Sequence, residues 1–298
     1  MAIGLKYAPP ALKWHLKSGP DVFPLLAPPA PGEWLYKIKE TPQPFAKWKR
    51  AYLKVKQQVK RRKIYLVPVE DWNTEFPMLH LMQDYISTFY CLDVEVTPPV
   101  NIHINSGLVT AQYNNSKFQF HMKDEKKFRT TDIENVLKNL LKGDLKDGSF
   151  VAGITRRPVY ADDGTALYGE SDPDLYVAVV TISSFLRTDP LKHPENPFHF
   201  QLAPCLFVLA HEIGHLFFMS HCVYYNCIMG GTNGLKEFRT HNLCPVCLHK
   251  MVFVWGEEVD VLQRYQLLLQ FYLQFPTIFN KQIDWHQNTI QLFKLNLK

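Results

Sequence analysis

LAPCLFVLAHEIGHLF, residues 202–217, is the stretch on which the reading of this chain turns. It is apolar and carries no helix breaker after Pro204, and a proline is accommodated in a first helical turn, where its missing N–H breaks no hydrogen bond. A helix here sets His211 and His215 four residues apart, on one face and one turn from each other. Both imidazoles then reach a single metal ion from the same side, with Glu212 beside them to contact a metal-bound water.

The third histidine sharpens the expectation. His221 lies six residues beyond His215. A continuous helix would point it away from the first two, so the chain must leave the helix near residues 217–219 and turn back. Three neutral imidazoles leave a fourth tetrahedral position for water, the mark of a catalytic rather than a closed zinc site. Such a metal lowers the water's pKa toward about 7 and polarises a scissile carbonyl. Glu212 would then act as general base, taking the water's proton and passing it to the leaving amine.

Directly after His221 comes Cys222, then Cys227, and later the pair Cys244-Pro245-Val246-Cys247. Four cysteines with one C-x-x-C pair suit a closed tetrahedral Cys₄ zinc site, which contributes folding free energy and no chemistry. Two zinc ions are therefore expected, one catalytic and one structural. The alternative for Cys244 and Cys247 is redox chemistry, although no βαβ context of the thioredoxin kind surrounds them.

Upstream, the segments 64–67, 92–96, 118–120, 151–155 and 175–185 read as strands, and Ile133, Val136, Leu137, Leu140 and Leu141 fall on one face of a helix over 131–142. A second helix opens at Pro77. Residues 161–174 read as a polar loop, and residues 257–273 supply a last helix. Strands alternating with helices, one strand antiparallel, predict an α/β or α+β fold.

The N-terminal 62 residues differ in character. Residues 1–45 are proline-rich and read as an extended arm with short helical pieces. Residues 46–62 form a basic helix whose apolar face is Phe45, Trp48, Tyr52, Val55 and Val59. It reads as a docked helix with a solvated basic face, the alternative being a nucleic-acid or acidic-lipid contact. Of the formal +5 net charge, everything comes from residues 37–63, where eleven Lys or Arg face a single acid, Glu40. The expected division is an extension over 1–62, a catalytic domain over 63–275 (subdomains 63–217 and 218–275) and a tail over 276–298. The composition, 46% hydrophobic and 20% charged, excludes a disordered chain. Neither a membrane span nor a secretory leader is read, so a cytoplasmic or nuclear location is expected.

Together these residues resemble the archaemetzincin family of metzincin-clan zinc metallopeptidases, in its vertebrate-type members. The resemblance is carried by His211-Glu212-x-x-His215 with His221, then Cys222, Cys227-Ile-Met229, and Leu243-Cys-Pro-Val-Cys-Leu-His-Lys250, and covers about residues 63–270. It implies a metzincin-like fold: a twisted mixed sheet and active-site helix in one subdomain, and the third histidine, a Met-turn at Met229 and a last helix in the other. It further implies that 175–185 is the edge strand on which a peptide substrate would add as another strand. A peptidase of aminopeptidase-like or limited specificity acting on a peptide or protein substrate is the expected function. A catalytically impaired, zinc-scaffolded binding protein is the alternative, and a third reading replaces His221 by Glu257 or Glu258. There are two departures from the family pattern. Phe218 stands where the pattern has glycine, and a left-handed φ there would cost a phenylalanine about 1–2 kcal/mol. The spacer from Met229 to Cys244, fourteen residues, is a few residues short.

Overall fold

The structure, a computed structural model, describes residues 2–70, 72, 78–185, 197–238, 240–256 and 259–296. The helices are α1 (Lys13–Leu16), α2 (Trp34–Lys37), α3 (Phe45–Val59), α4 (Met78–Tyr90), α5 (Thr130–Lys142), α6 (Pro197–Leu216), α7 (Pro245–Trp255), α8 (Val261–Leu273) and α9 (Asn280–Asn296). The strands are β1 (Lys63–Val69), β2 (Asp93–Val96), β3 (Asn101–Asn105), β4 (Leu108–Tyr113), β5 (Ser116–His121), β6 (Phe128–Arg129), β7 (Phe150–Thr155), β8 (Val159–Tyr160), β9 (Ala166–Leu167), β10 (Gly169–Asp172) and β11 (Val177–Thr181). Two compact units emerge. One is made of Lys56–Ser87 and Leu92–Phe217, the other of Met1–Val55, Thr88–Cys91 and Phe218–Lys298.

The first unit is built on a five-stranded sheet in the order β10-β11-β7-β1-β2. Its strands β2, β1, β7 and β11 pair in parallel. β7 (FVAGIT) and β11 (VAVVT) are buried at every residue, as expected of parallel strands covered on both faces. The predicted helix at 131–142 is α5, which packs Ile133, Val136, Leu137, Leu140 and Leu141 into a core with Val67, Val69, Val151, Val177 and Val179. Gly153 permits that close approach, since a β-carbon there would lie 2.8 Å from Leu137 Cδ1. β3, β4 and β5 form a separate antiparallel sheet.

Three expectations are corrected in this unit. β1 does not stop at Pro68 but runs through it to Val69, which pairs with Thr155. The proline donates nothing, yet its carbonyl accepts from Val100 N at 2.8 Å, so the ladder loses little. α6 begins at Pro197, which places Pro204 inside the helix rather than in its first turn. The edge strand is also not the one expected. Segment 175–185 contributes β11, which lies between β10 and β7, and the antiparallel edge is β10, inside the stretch read as a loop. Gly-Glu-Ser-Asp carries too little apolar character to register as a strand.

In the second unit the N-terminal segment is ordered by side-chain contacts. Phe45, at the start of α3, stacks on His249 of α7 at 3.8 Å, and Phe45, Trp48 and Tyr52 all meet the Phe253 ring edge to face. This burial of the apolar face supports the docked-helix reading of α3. His15 of α1 bonds Tyr265 OH at 3.0 Å, and Trp285 of α9 donates to Val22 O at 2.7 Å. α8 is capped by Asp260, whose carboxylate accepts from Leu262 N and Gln263 N. Residues 280–296, within the stretch read as a tail, form α9 and bury Ile283, His286, Ile290 and Phe293. Pro77, Glu257 and Glu258, the last two named in the reading that replaces His221, lie outside the described residues. Among the described residues no helix is long and apolar enough to cross a membrane.

Candidate active site

α6 carries the first two histidines as their spacing predicts. His211 Nε2 and His215 Nε2 lie 3.1 Å apart, with the rings nearly perpendicular at 83°. A tetrahedral ion with Zn–N bonds of about 2.0–2.1 Å sets its ligand nitrogens roughly 3.3 Å apart, so this pair fits zinc. Phe207, one turn earlier, lies parallel to the His211 ring.

Glu212 projects beside them and is held by the edge strand. Ser171 Oγ of β10 lies within hydrogen-bond distance of a Glu212 carboxylate oxygen and of the Glu212 carbonyl, the latter at 3.0 Å. Gly169, two residues earlier on the same face, leaves room for it, since a β-carbon there would sit 2.7 Å from Glu212 Cγ. Burial pushes the Glu212 carboxyl up to about 7, the Ser171 bond pulls it down, and the Glu170 charge raises it again. A carboxylate poised near neutrality suits a group that must both take and give a proton.

Beyond α6 the chain leaves the helix through Phe218, which has φ +62°. The left-handed conformation that the family's glycine favours is thus retained despite the side chain. The turn is held in place by Gln43. Its amide nitrogen donates to Phe218 O at 2.8 Å, and its oxygen accepts from Ser220 N at 3.1 Å and from Lys250 Nζ at 2.7 Å. His221 follows. Its Nδ1 lies 2.6 Å from Glu40 Oε1, the same oxygen that accepts from Trp34 Nε1 at 2.7 Å. Burial pushes the Glu40 carboxyl up, but the bonds from His221 and Trp34 outweigh it and hold the group below its usual range. Gly231 closes this corner, where a β-carbon would come within 2.4 Å of the Trp34 ring and 3.0 Å of His221 Nδ1. One nitrogen from each of His211, His215 and His221 forms a set whose members all lie within 4.8 Å of one another.

The four cysteines form a second set with the same limit of 4.8 Å, all four buried and none in a disulfide. Cys222 Sγ and Cys244 Sγ are 3.5 Å apart, too far for a disulfide. They are close to the roughly 3.8 Å edge of a tetrahedron with Zn–S bonds of about 2.3 Å. Bonds from the other three thiols pull Cys222 well down, while burial pushes Cys227 and Cys244 well up. A divalent cation is what would let such a cluster shed its protons. Cys244 caps α7 and Cys247 sits in its first turn. Met229 is fully buried, and its carbonyl accepts from Cys222 N at 2.7 Å.

The sequence reading missed Ser171, because β10 read as a loop, and Trp34, Glu40 and Gln43, because a proline-rich arm promised no ordered contacts. The one available signal was Glu40 itself, the only acid among eleven basic residues.

A family model described as Peptidase family M54 matches residues 75–252. Human (Homo sapiens) archaemetzincin-2 is 26% identical, the match covering 84% of this chain and 74% of that protein. Human archaemetzincin-1 is 24% identical over 79% of this chain and 51% of that protein. Among solved structures, an archaemetzincin from Methanopyrus kandleri superposes with a TM-score of 0.48 at 20% identity, covering 64% of this chain and 94% of that one.

Proposed function

As a member of Peptidase family M54, the archaemetzincins, the chain is a zinc metallopeptidase, and we propose that it hydrolyses peptide bonds at a zinc held by His211, His215 and His221, with Glu212 as general base. Bound there, zinc supplies Lewis acidity toward the scissile carbonyl and acidifies the attacking water. The chain's own residues supply the rest. Glu212 takes the water's proton and returns it to the leaving amine, and Ser171 keeps its carboxylate aimed while the bond is broken. β10, the edge strand of this sheet among the described residues and the strand that carries Ser171, is where an extended peptide would add as a further strand. Cys222, Cys227, Cys244 and Cys247 hold a second, structural zinc. The substrate is a peptide or protein, cleaved with aminopeptidase-like or otherwise limited specificity.

The observation that carries this reading is Glu212. A buried carboxylate near neutrality, hydrogen-bonded to the edge strand and adjacent to a histidine pair at metal-ligand spacing, has the chemistry of a general base and no evident structural task. The test is zinc per chain together with peptide cleavage. Wild type should hold two zinc ions and His221→Ala one, and Glu212→Ala should keep both while losing cleavage by at least about a hundredfold. Wild type holding one zinc and cleaving nothing would instead identify a zinc-scaffolded binding protein.

A further inference from the structure

We propose that Glu40, from the N-terminal segment, is the positioning carboxylate for His221, fixing which of its ring nitrogens is offered to the metal and in what direction. The inference rests on His221 being a ligand, as proposed above, and adds a residue outside the stretch 75–252 matched by the family model.

The geometry points this way in three respects. First, a carboxylate only accepts hydrogen bonds, so the 2.6 Å approach of His221 Nδ1 to Glu40 Oε1 places the ring proton on Nδ1. The lone pair is then on Nε2, the other ring nitrogen. Secondly, Glu40 is itself held. Trp34 Nε1 donates to the same oxygen at 2.7 Å, and Trp34 N donates to Glu237 Oε2 at 2.9 Å, so the carboxylate cannot swing away without breaking a bonded chain. The His221 ring is also packed edge-on against the Trp34 indole at 5.4 Å. Thirdly, the corner has been kept clear for this arrangement. At Gly231 any β-carbon would collide with the Trp34 ring and crowd His221 Nδ1 at 3.0 Å.

Three residues further along the same segment, Gln43 braces the turn that delivers His221, through Phe218 O and Ser220 N. The proline-rich segment therefore holds both the backbone and the ring of this residue. The arrangement also accounts for a lone acid within a strongly basic stretch. Among the described residues its charged-group partner is the imidazole and not a lysine or arginine, the carboxylate lying 2.6 Å from His221 Nδ1. A carboxylate behind a metal-bound imidazole raises the basicity of that ligand and fixes its tautomer, and removing such a partner weakens metal binding by about 10–100-fold.

The experiment uses the full chain and zinc itself, with affinity at the histidine site measured by competition against a chromophoric chelator and the cysteine-site zinc counted as a control for folding. Glu40→Leu should weaken the histidine site by about 10–100-fold. Glu40→Gln, which keeps an oxygen acceptor and loses the charge, should fall between wild type and Glu40→Leu. With cobalt in place of zinc, the ligand-field absorption of the histidine site should shift in Glu40→Leu. In a His221→Ala background, where only the weak residual binding of His211 and His215 to added zinc is measured, Glu40→Leu should change that affinity by less than about twofold, because its effect runs through the missing ring. Wild-type affinity in Glu40→Leu would overturn the proposal, as would an equal loss in the His221→Ala background, which marks a general effect on folding. If His211→Ala leaves the zinc content of the wild type unchanged, the ligand assignment itself fails. That outcome is distinct from two zinc ions in every Glu40 variant with unaltered affinity, which would remove Glu40 alone.

Discussion

Ser171, on the edge strand β10, reaches Glu212 of helix α6 with its hydroxyl, so the proposed general base is tethered to the strand on which a substrate would add. Burial raises the Glu212 carboxyl and the serine bond opposes it. Ser171→Ala should therefore move the acid limb of the pH–rate profile to higher pH, leaving less of Glu212 ionised at neutrality and lowering turnover there by several-fold. Profiles of wild type and Ser171→Ala on one quenched fluorescent peptide check this. An acid limb that stays put or moves to lower pH would show that the hydroxyl does not tune the base.

Phe218 makes the exit turn at φ +62° where glycine would be unstrained. Comparing Phe218→Gly with Phe218→Ala isolates the backbone, because both lose the ring. At an ordinary helical position alanine is the more stable by about 1 kcal/mol. Here the order should invert, glycine leading by about 1–2 kcal/mol in urea denaturation. Alanine equal to or better than glycine would mean that the turn is not left-handed in solution.

Gly231→Ala would bring a β-carbon within 2.4 Å of the Trp34 ring. Something must shift, at a cost of about 1–3 kcal/mol in stability. The first group to move is the one that packs and orients His221. Loss of histidine-site zinc should therefore exceed loss of cysteine-site zinc in a titration with chelator. A variant that loses both ions in parallel would refute the selective effect.

The four clustered cysteines should make stability depend on metal. Stripping the cysteine-site ion, or replacing Cys247 by serine, should cost more than about 3 kcal/mol and lower the melting temperature by roughly 10 °C. Zinc should restore the stripped wild type and not Cys247→Ser. Scanning calorimetry with and without chelator checks both statements, and an unchanged melting temperature would rule out a structural ion.

Glu134 of α5 is 5% exposed, and among the described residues its Oε1 has no hydrogen-bond partner. Burial, and then the charges of Glu170, Asp172 and Glu212, raise its carboxyl to about 8 from the ordinary 4.5. The folded state thus binds this proton more tightly than the unfolded chain does. The stability contributed is fully present below about pH 4.5 and is lost progressively as pH rises to about 8. Glu134→Gln should be more stable than wild type by roughly 2–4 kcal/mol at pH 8.5 and indistinguishable from it near pH 4. Denaturant midpoints at the two values decide it, and a variant less stable than wild type at pH 8.5 would contradict the account.

What was legible in the sequence was whatever depends on a fixed period or a fixed residue type. The i, i+4 histidines declared α6 because metal ligation tolerates few substitutes, and the apolar stripe of 131–142 declared α5 because a helix buried on one face must repeat. β10 was illegible for the converse reason. It is four polar residues long, and it is a strand only because β11 supplies the ladder. Pro68 disguised the end of β1, since a rule about missing donors says nothing of a carbonyl with a partner elsewhere. Glu40 lay beyond reach because its partner is 181 residues away and no local pattern records such a pairing.

His221 and Cys222 are consecutive residues, so one peptide unit joins the two proposed metal centres. Closing a disulfide among the thiols would draw Cys222 and Cys244 from 3.5 Å to about 2.05 Å and pull on that unit. A disturbance at the thiols is thereby carried along a single peptide link to the neighbouring ring.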